Sequence, residues 1–123
     1  LEAQLAMDTL ISAMSTICDS FSRRTYEPKP TTSVKINGQE IDFDRIVIVG
    51  RAGEIIVYGN ICMVSRRHLH VLARRDGNVW IRDNCSKIGT FVNGQQLEID
   101  EWFKLLPDDK VTLGGALPLE ISR

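Results

Sequence analysis

The chain has 123 residues, 43% of them hydrophobic and 25% charged, which fits one globular domain with apolar mass for one core and no internal repeat or low-complexity tract. A formal net charge of −1 argues against general adhesion to polyanions, but residues 45–94 hold eight Lys or Arg against Glu54, Asp76 and Asp83, while the remainder holds seven against thirteen acids. Cys18, Cys62 and Cys85 are widely spaced with no C-x-x-C, and no apolar run reaches the ~20 residues of a membrane span, so the expectation is three buried filler cysteines, no zinc site, no signal peptide and a reducing, cytoplasmic setting. Residues 1–24 read as a helix: Ala3, Met7, Leu10, Met14, Ile17 and Phe21 recur at steps of four and three, and Ile11 and Cys18 widen the stripe. Such a stripe suits packing on its own domain or self-association through a short coiled-coil seam. Glu27-Pro28-Lys29-Pro30 stops the helix, because proline removes a donor and extends the residue before it, so 25–32 is a linker. Thr25, Thr31 and Thr32 are ordinary loop threonines there, or phosphorylation acceptors.

From residue 33 the periodicity becomes two, with short apolar bursts divided by Asn37-Gly38, Asp76-Gly77 and Asn93-Gly94. Strands are expected at 34–36, 40–43, 46–49, 55–57, 69–73, 79–82, 90–92, 95–97, 111–113 and 117–121. Many short strands at close spacing make residues 33–123 an all-β sandwich. Trp80, Ile81, Val111 and Leu113 are expected in its core, with Trp102 and Phe103 covering one end.

Polar clusters interrupt these strands at Gly50-Arg51, at Ser65-Arg66-Arg67-His68, and at Ser86-Lys87-Ile88-Gly89-Thr90 followed by Asn93-Gly94. Each falls where a strand should end, and loops rooted in a rigid scaffold are where binding groups collect. Guanidinium, ammonium and hydroxyl are all donors, and a converging, positively charged set of donors suits an anion such as phosphate. Arg67 should face away from Arg66, as neighbours in extended chain do. Three residues apart in extended chain, Ser65 and His68 would also face opposite ways and form no catalytic dyad. His70 shares the face of His68, but two imidazoles without a third ligand do not make a metal site.

The ordered set resembles the forkhead-associated (FHA) family, phosphothreonine-binding β-sandwich domains whose motif runs Gly-Arg, Ser-x-x-His, Ser-x-Asn-Gly-Thr and Asn-Gly. The resemblance covers roughly residues 33–123; the Asp108-Asp109 turn before 110–114 extends it, where the family usually carries Gly-Asp. It implies an FHA-like β-sandwich of about ten to eleven short strands, here with an N-terminal helical extension, serving as a phosphothreonine-peptide binding module in signalling. By resemblance Arg51, Ser65, Arg66, Ser86 and Lys87 would hold the phosphopeptide, and Gly50, His68, Gly89, Thr90, Asn93 and Gly94 would form the structural motif. Ile88 stands where the family has an Asn that holds the peptide backbone, with Asn84 the nearest substitute. The rival reading keeps the fold as an assembly domain with weak or no phosphopeptide binding, oligomerising through its helix. Nucleic-acid or anionic-lipid binding lacks aromatic interleaving, and no Walker loop, metal spacing or nucleophile–base pair supports an enzyme or a cofactor.

Overall fold

Asn37 and Gly38 both take positive φ, 50° and 84°, so the chain reverses in two residues between β1 (Val34–Ile36) and β2 (Gln39–Ile41), with Ile36 opposite Gln39. In this computed structural model the described residues are 26–58 and 63–123; the expected helix at 1–24, Cys18 and Cys62 lie outside them. Among the described residues there are twelve strands and no helix long and apolar enough to cross a membrane. After the first hairpin come β3 (Ile46–Gly50), β4 (Ile55–Ile56), β5 (Leu69–Ala73) and β6 (Val79–Asp83). A second hairpin through Asn93 (φ 52°) and Gly94 (φ 82°) joins β7 (Thr90–Val92) to β8 (Gln95–Gln96). The chain ends with β9 (Phe103–Leu105), β10 (Val111–Leu113), β11 (Leu117–Leu119) and β12 (Ile121–Ser122).

The strands make a five-stranded sheet in the order β4-β3-β5-β6-β9, a four-stranded sheet β11-β10-β7-β8 and a three-stranded sheet β12-β1-β2. The chain passes from the four-stranded to the three-stranded sheet at Glu120, so these two form one layer facing the five-stranded one. Asn37 fixes that crossing: its N–H donates to Glu120 O (2.7 Å) and its Oδ1 accepts Glu120 N–H (2.8 Å). Alternation then fills the space between layers. Val47, Val49, Leu69, Val71, Val79, Ile81, Phe103 and Leu105 come from one side, and Val34, Ile36, Val92, Val111, Leu113 and Leu119 from the other. Each such side chain stabilises the fold by about 1.5–3 kcal/mol on full burial.

Four expectations change. Residues 117–121 are two strands rather than one, because the alternating Leu117, Leu119 and Ile121 continue across a change of sheet. Phe103 does not cap an end; it lies in β9, paired with β6, and points into the core, while Trp102 sits on the outside with the Arg82 guanidinium 4.5 Å above its ring. Trp80 is buried, but on the face of the five-stranded sheet turned away from the core cluster. Cys85 is an exposed turn residue with φ 51°, its thiol donating to Asp100 Oδ2 at 3.4 Å, and not a buried filler.

Candidate functional site

Gly50 ends β3 where the backbone of Ser65 and Arg66 crosses. A Cβ there would lie 2.2 Å from Arg66 O and 2.8 Å from Ser65 O, so only glycine lets the two loops touch. The contact is then zipped by main-chain bonds from Arg51 N–H to Ser65 O (3.2 Å) and Ala52 N–H to Arg66 O (3.0 Å). Arg51 leaves this junction half-buried, its Nε donating to Val64 O at 2.6 Å. Its two terminal nitrogens donate to no described residue, so one edge of the guanidinium is fixed and the other is open.

Ser65–His68 is a turn rather than extended chain, yet the Ser65 hydroxyl and the His68 ring still do not pair. The Ser65 main-chain N–H donates to His68 Nδ1 at 3.0 Å. The Ser65 hydroxyl points elsewhere: Oγ accepts Lys87 N–H at 3.0 Å, stitching the second cluster to the third and leaving its own proton to give. His68 is fully buried, and since Nδ1 accepts, its proton is on Nε2, which donates to Gly89 O at 2.8 Å. Burial holds its pKa below 6.5, partly offset by the Gly89 carbonyl and the Asp83 charge. His70, on the outer face, instead takes Arg82 Nη2 on Nδ1 at 2.8 Å, and burial followed by the Arg82 charge lowers its pKa too.

Asp83, at the end of β6, holds the third cluster. It is 1% exposed and accepts from Ser86 N–H (3.1 Å), Ser86 Oγ–H (2.5 Å) and Thr90 Oγ1–H (2.7 Å). Ser86 therefore directs its hydroxyl proton inward to the carboxylate, and Thr90, fully buried, is scaffold. Asp83 carries little mark of this role in the sequence; its only local signal is the Asp-x-x-Ser spacing of a side-chain-capped turn. Gly89, at φ 113°, presents its carbonyl to both His68 Nε2–H and Gly114 N–H (2.8 Å), tying the loop to the β10–β11 turn. Asn84 is committed to the framework through N–H to His68 O (3.0 Å) and Nδ2 to Arg67 O (3.2 Å).

Arg51, Ser65, Arg66 and Lys87 thus come together at one end of the sandwich, with Arg66 and Lys87 exposed at the rim. Ile88 is 41% exposed at the same edge and is not core. Asn93-Gly94 is not part of this gathering. It lies at the far end of β7, where Asn93 bridges to Asp109 (2.9 Å) and Lys110 N–H (2.9 Å). Among the described residues no group of three or more His, Cys, Asp or Glu side chains could hold a metal ion. What the site offers is an open arginine edge, a free hydroxyl proton and two mobile-length cations, all fit to donate to an oxyanion.

The family model for the FHA domain matches residues 47–114. The chain is similar to the N-terminal FHA domain of Rad53p from S. cerevisiae in complex with a phosphothreonine peptide, with 26% identity over 72% of this chain and 91% of that one, and a TM-score of 0.59. It is also similar to the FHA domain of the CT664 protein from Chlamydia trachomatis, with 25% identity, 68% and 81% of the two chains covered and a TM-score of 0.58. A 63-residue stretch, 51% of this chain, is 35% identical to serine/threonine-protein kinase RAD53 of Saccharomyces cerevisiae but spans only 8% of that kinase.

Proposed function

Because the chain belongs to the FHA domain family, we propose that it is a phosphothreonine-peptide binding module that mediates phospho-dependent protein–protein interaction. The observation that carries this reading is the open edge of Arg51, whose other edge is fixed by Val64 O within one loop contact of the Ser65 hydroxyl. A phosphate group brings about −1.5 to −2 charge and three acceptor oxygens. Arg51 meets it with a planar fork, Ser65 with its hydroxyl proton, and Arg66 and Lys87 add charge from the rim. Ser86 works one step behind, its bond to Asp83 holding the loop that presents Lys87. The complex of the similar Rad53p domain with a phosphothreonine peptide supports the same ligand class here. His68 braces the loops and takes no part in chemistry; no reaction is assigned to the module.

A titration of a phosphothreonine peptide library against the unphosphorylated library tests this. Binding should require the phosphate, and Arg51→Ala, checked for folding by thermal melting, should weaken it by about 1.5–3 kcal/mol, the range for a hydrogen bond to a charged group. Undiminished binding by the folded variant would remove Arg51 as the anchor. Binding of neither library would favour the fold as an assembly domain instead.

A further inference from the structure

Strand β6 finishes at the anion-binding loops and starts beside a second concave feature. Gly77, in the turn before β6, takes φ 95°, and a Cβ on it would collide with the Lys29 carbonyl, so glycine here lets the linker cross the sheet end. Between the linker, this turn, Pro107 and β12 lies an open cavity of about 660 Å³. Small-molecule sites usually occupy about 300–1,000 Å³. Tyr26, Pro30, Pro107 and Ile121 give the cavity apolar walls, and Arg123 brings a guanidinium into it. Glu27 and Lys29, both exposed on the linker side, carry opposite charges.

Arg123 lacks the counterion that a half-buried guanidinium ordinarily has. Nη1 donates to Gly77 O at 3.4 Å and Nη2 to Leu105 O, while Nε is buried with no acceptor. Among the described residues no Asp or Glu side chain forms an ion pair with it. Asp109 attracts it from a distance, its carboxylate accepting from Asn93 Nδ2 and Leu106 N–H. Burial lowers the Arg123 pKa, and the Tyr26 phenol and Asp109 offset only part of this. The fork of a guanidinium matches the two oxygens of a carboxylate, and a phenol can accept from arginine while donating its own proton to one of them. One cation and one phenol suit a single negative charge, whereas a phosphate group brings nearly two.

We propose that this cavity is a second ligand site, which takes a small carboxylate with an apolar body. The carboxylate sits on Arg123 and the Tyr26 hydroxyl, and the body lies against Pro30, Pro107 and Ile121.

Fluorine NMR on the full chain tests the site, using fluorinated aryl- and alkylcarboxylates and their neutral primary amides at about 1 mM. The acids should broaden on binding, and the amides should bind about tenfold or more weakly. In nitrogen-15 spectra the acids should shift the Gly77 and Ser122 amides and leave Arg51 and Ser65 in place. No broadening by any acid, or equal binding of acids and amides, overturns the proposal. Shifts confined to Arg51 and Ser65 overturn it as well, since the acids would then occupy the phosphopeptide site. Tyr26→Phe keeps the ring and should weaken the acids severalfold without changing phosphopeptide binding, and Arg123→Gln should erase the preference for acid over amide. Should Arg123→Gln fail to fold, the acid–amide comparison on the unsubstituted chain still decides. Tighter binding of a peptide ending in a free phenylalanine carboxylate would overturn the small-molecule assignment in favour of a chain terminus.

Discussion

Ile88 precedes Gly89 in the chain and His68 hydrogen-bonds its carbonyl, and the two behave oppositely. Ile88 is exposed and its side chain neither donates nor accepts, so Ile88→Asn adds an amide at the site's edge without opening a core cavity. A net hydrogen bond contributes about 0.5–1.5 kcal/mol, so calorimetry should show phosphopeptide binding tightened roughly two- to tenfold. Unchanged affinity would mean that another group already holds the peptide backbone. His68 is buried neutral, with Nδ1 occupied by the Ser65 N–H, and protonating it would set two N–H donors against each other. Its folded pKa lies below 6.5, so between that value and 6.5 the unfolded chain binds the proton and the native chain does not. The contribution of this residue is therefore fully present above pH 6.5 and declines as pH falls below it. Urea melts at about pH 7.5 and 5.5 should show this loss, and His68→Gln should flatten the dependence to what His70 alone contributes.

Among the elements, the two loops after β3 and before β5 act as one unit because Gly50 lets them. Gly50→Ala forces a methyl group against the Arg66 carbonyl, and backbone cannot step aside as a side-chain tip does. We expect about 1–3 kcal/mol lost from stability, as for other overpacked sites, together with weakened phosphopeptide binding as Arg51 shifts. A variant as stable and as tight as the parent would show the loops to be independent. The elements also separate what sequence makes legible from what it hides. Asn37-Gly38 and Asn93-Gly94 announce their hairpins because positive φ at both central positions is a local requirement. β9 is only three residues long, and its Phe-Lys-Leu pattern gains meaning from pairing with β6, which no local window contains. The break at Glu120 is set by Asn37, 83 residues away, so residues 117–121 read as one strand. Gly-Arg and Ser-x-x-His were readable as ordered chemistry, whereas the bracing by Asp83 needs three donors to converge in space.

Across the molecule, charge is segregated: the segment that builds the site is basic and the remainder acidic. Arg66 and Lys87 lie exposed at the rim, where charge accelerates encounter more than it holds the complex, while Arg51 is anchored and half-buried. Stopped-flow association with a phosphopeptide should therefore slow as salt rises from about 0.05 to 0.5 M. Arg66→Gln/Lys87→Gln should act mainly on the association rate and Arg51→Ala mainly on dissociation. Equal effects on both rates from both variants would contradict this division. The order of strands bears on how the domain is made. β1, the first strand of the sandwich, pairs on one side with β2 and on the other only with β12, Lys35 meeting Ser122. On a ribosome, a nascent chain that has delivered the whole anion-binding end still lacks the strand that closes β1, and it exposes an unpaired, apolar-flanked edge until residues 121 and 122 emerge. Synthesis thus presents the anion-binding loops before the sheet behind them is complete.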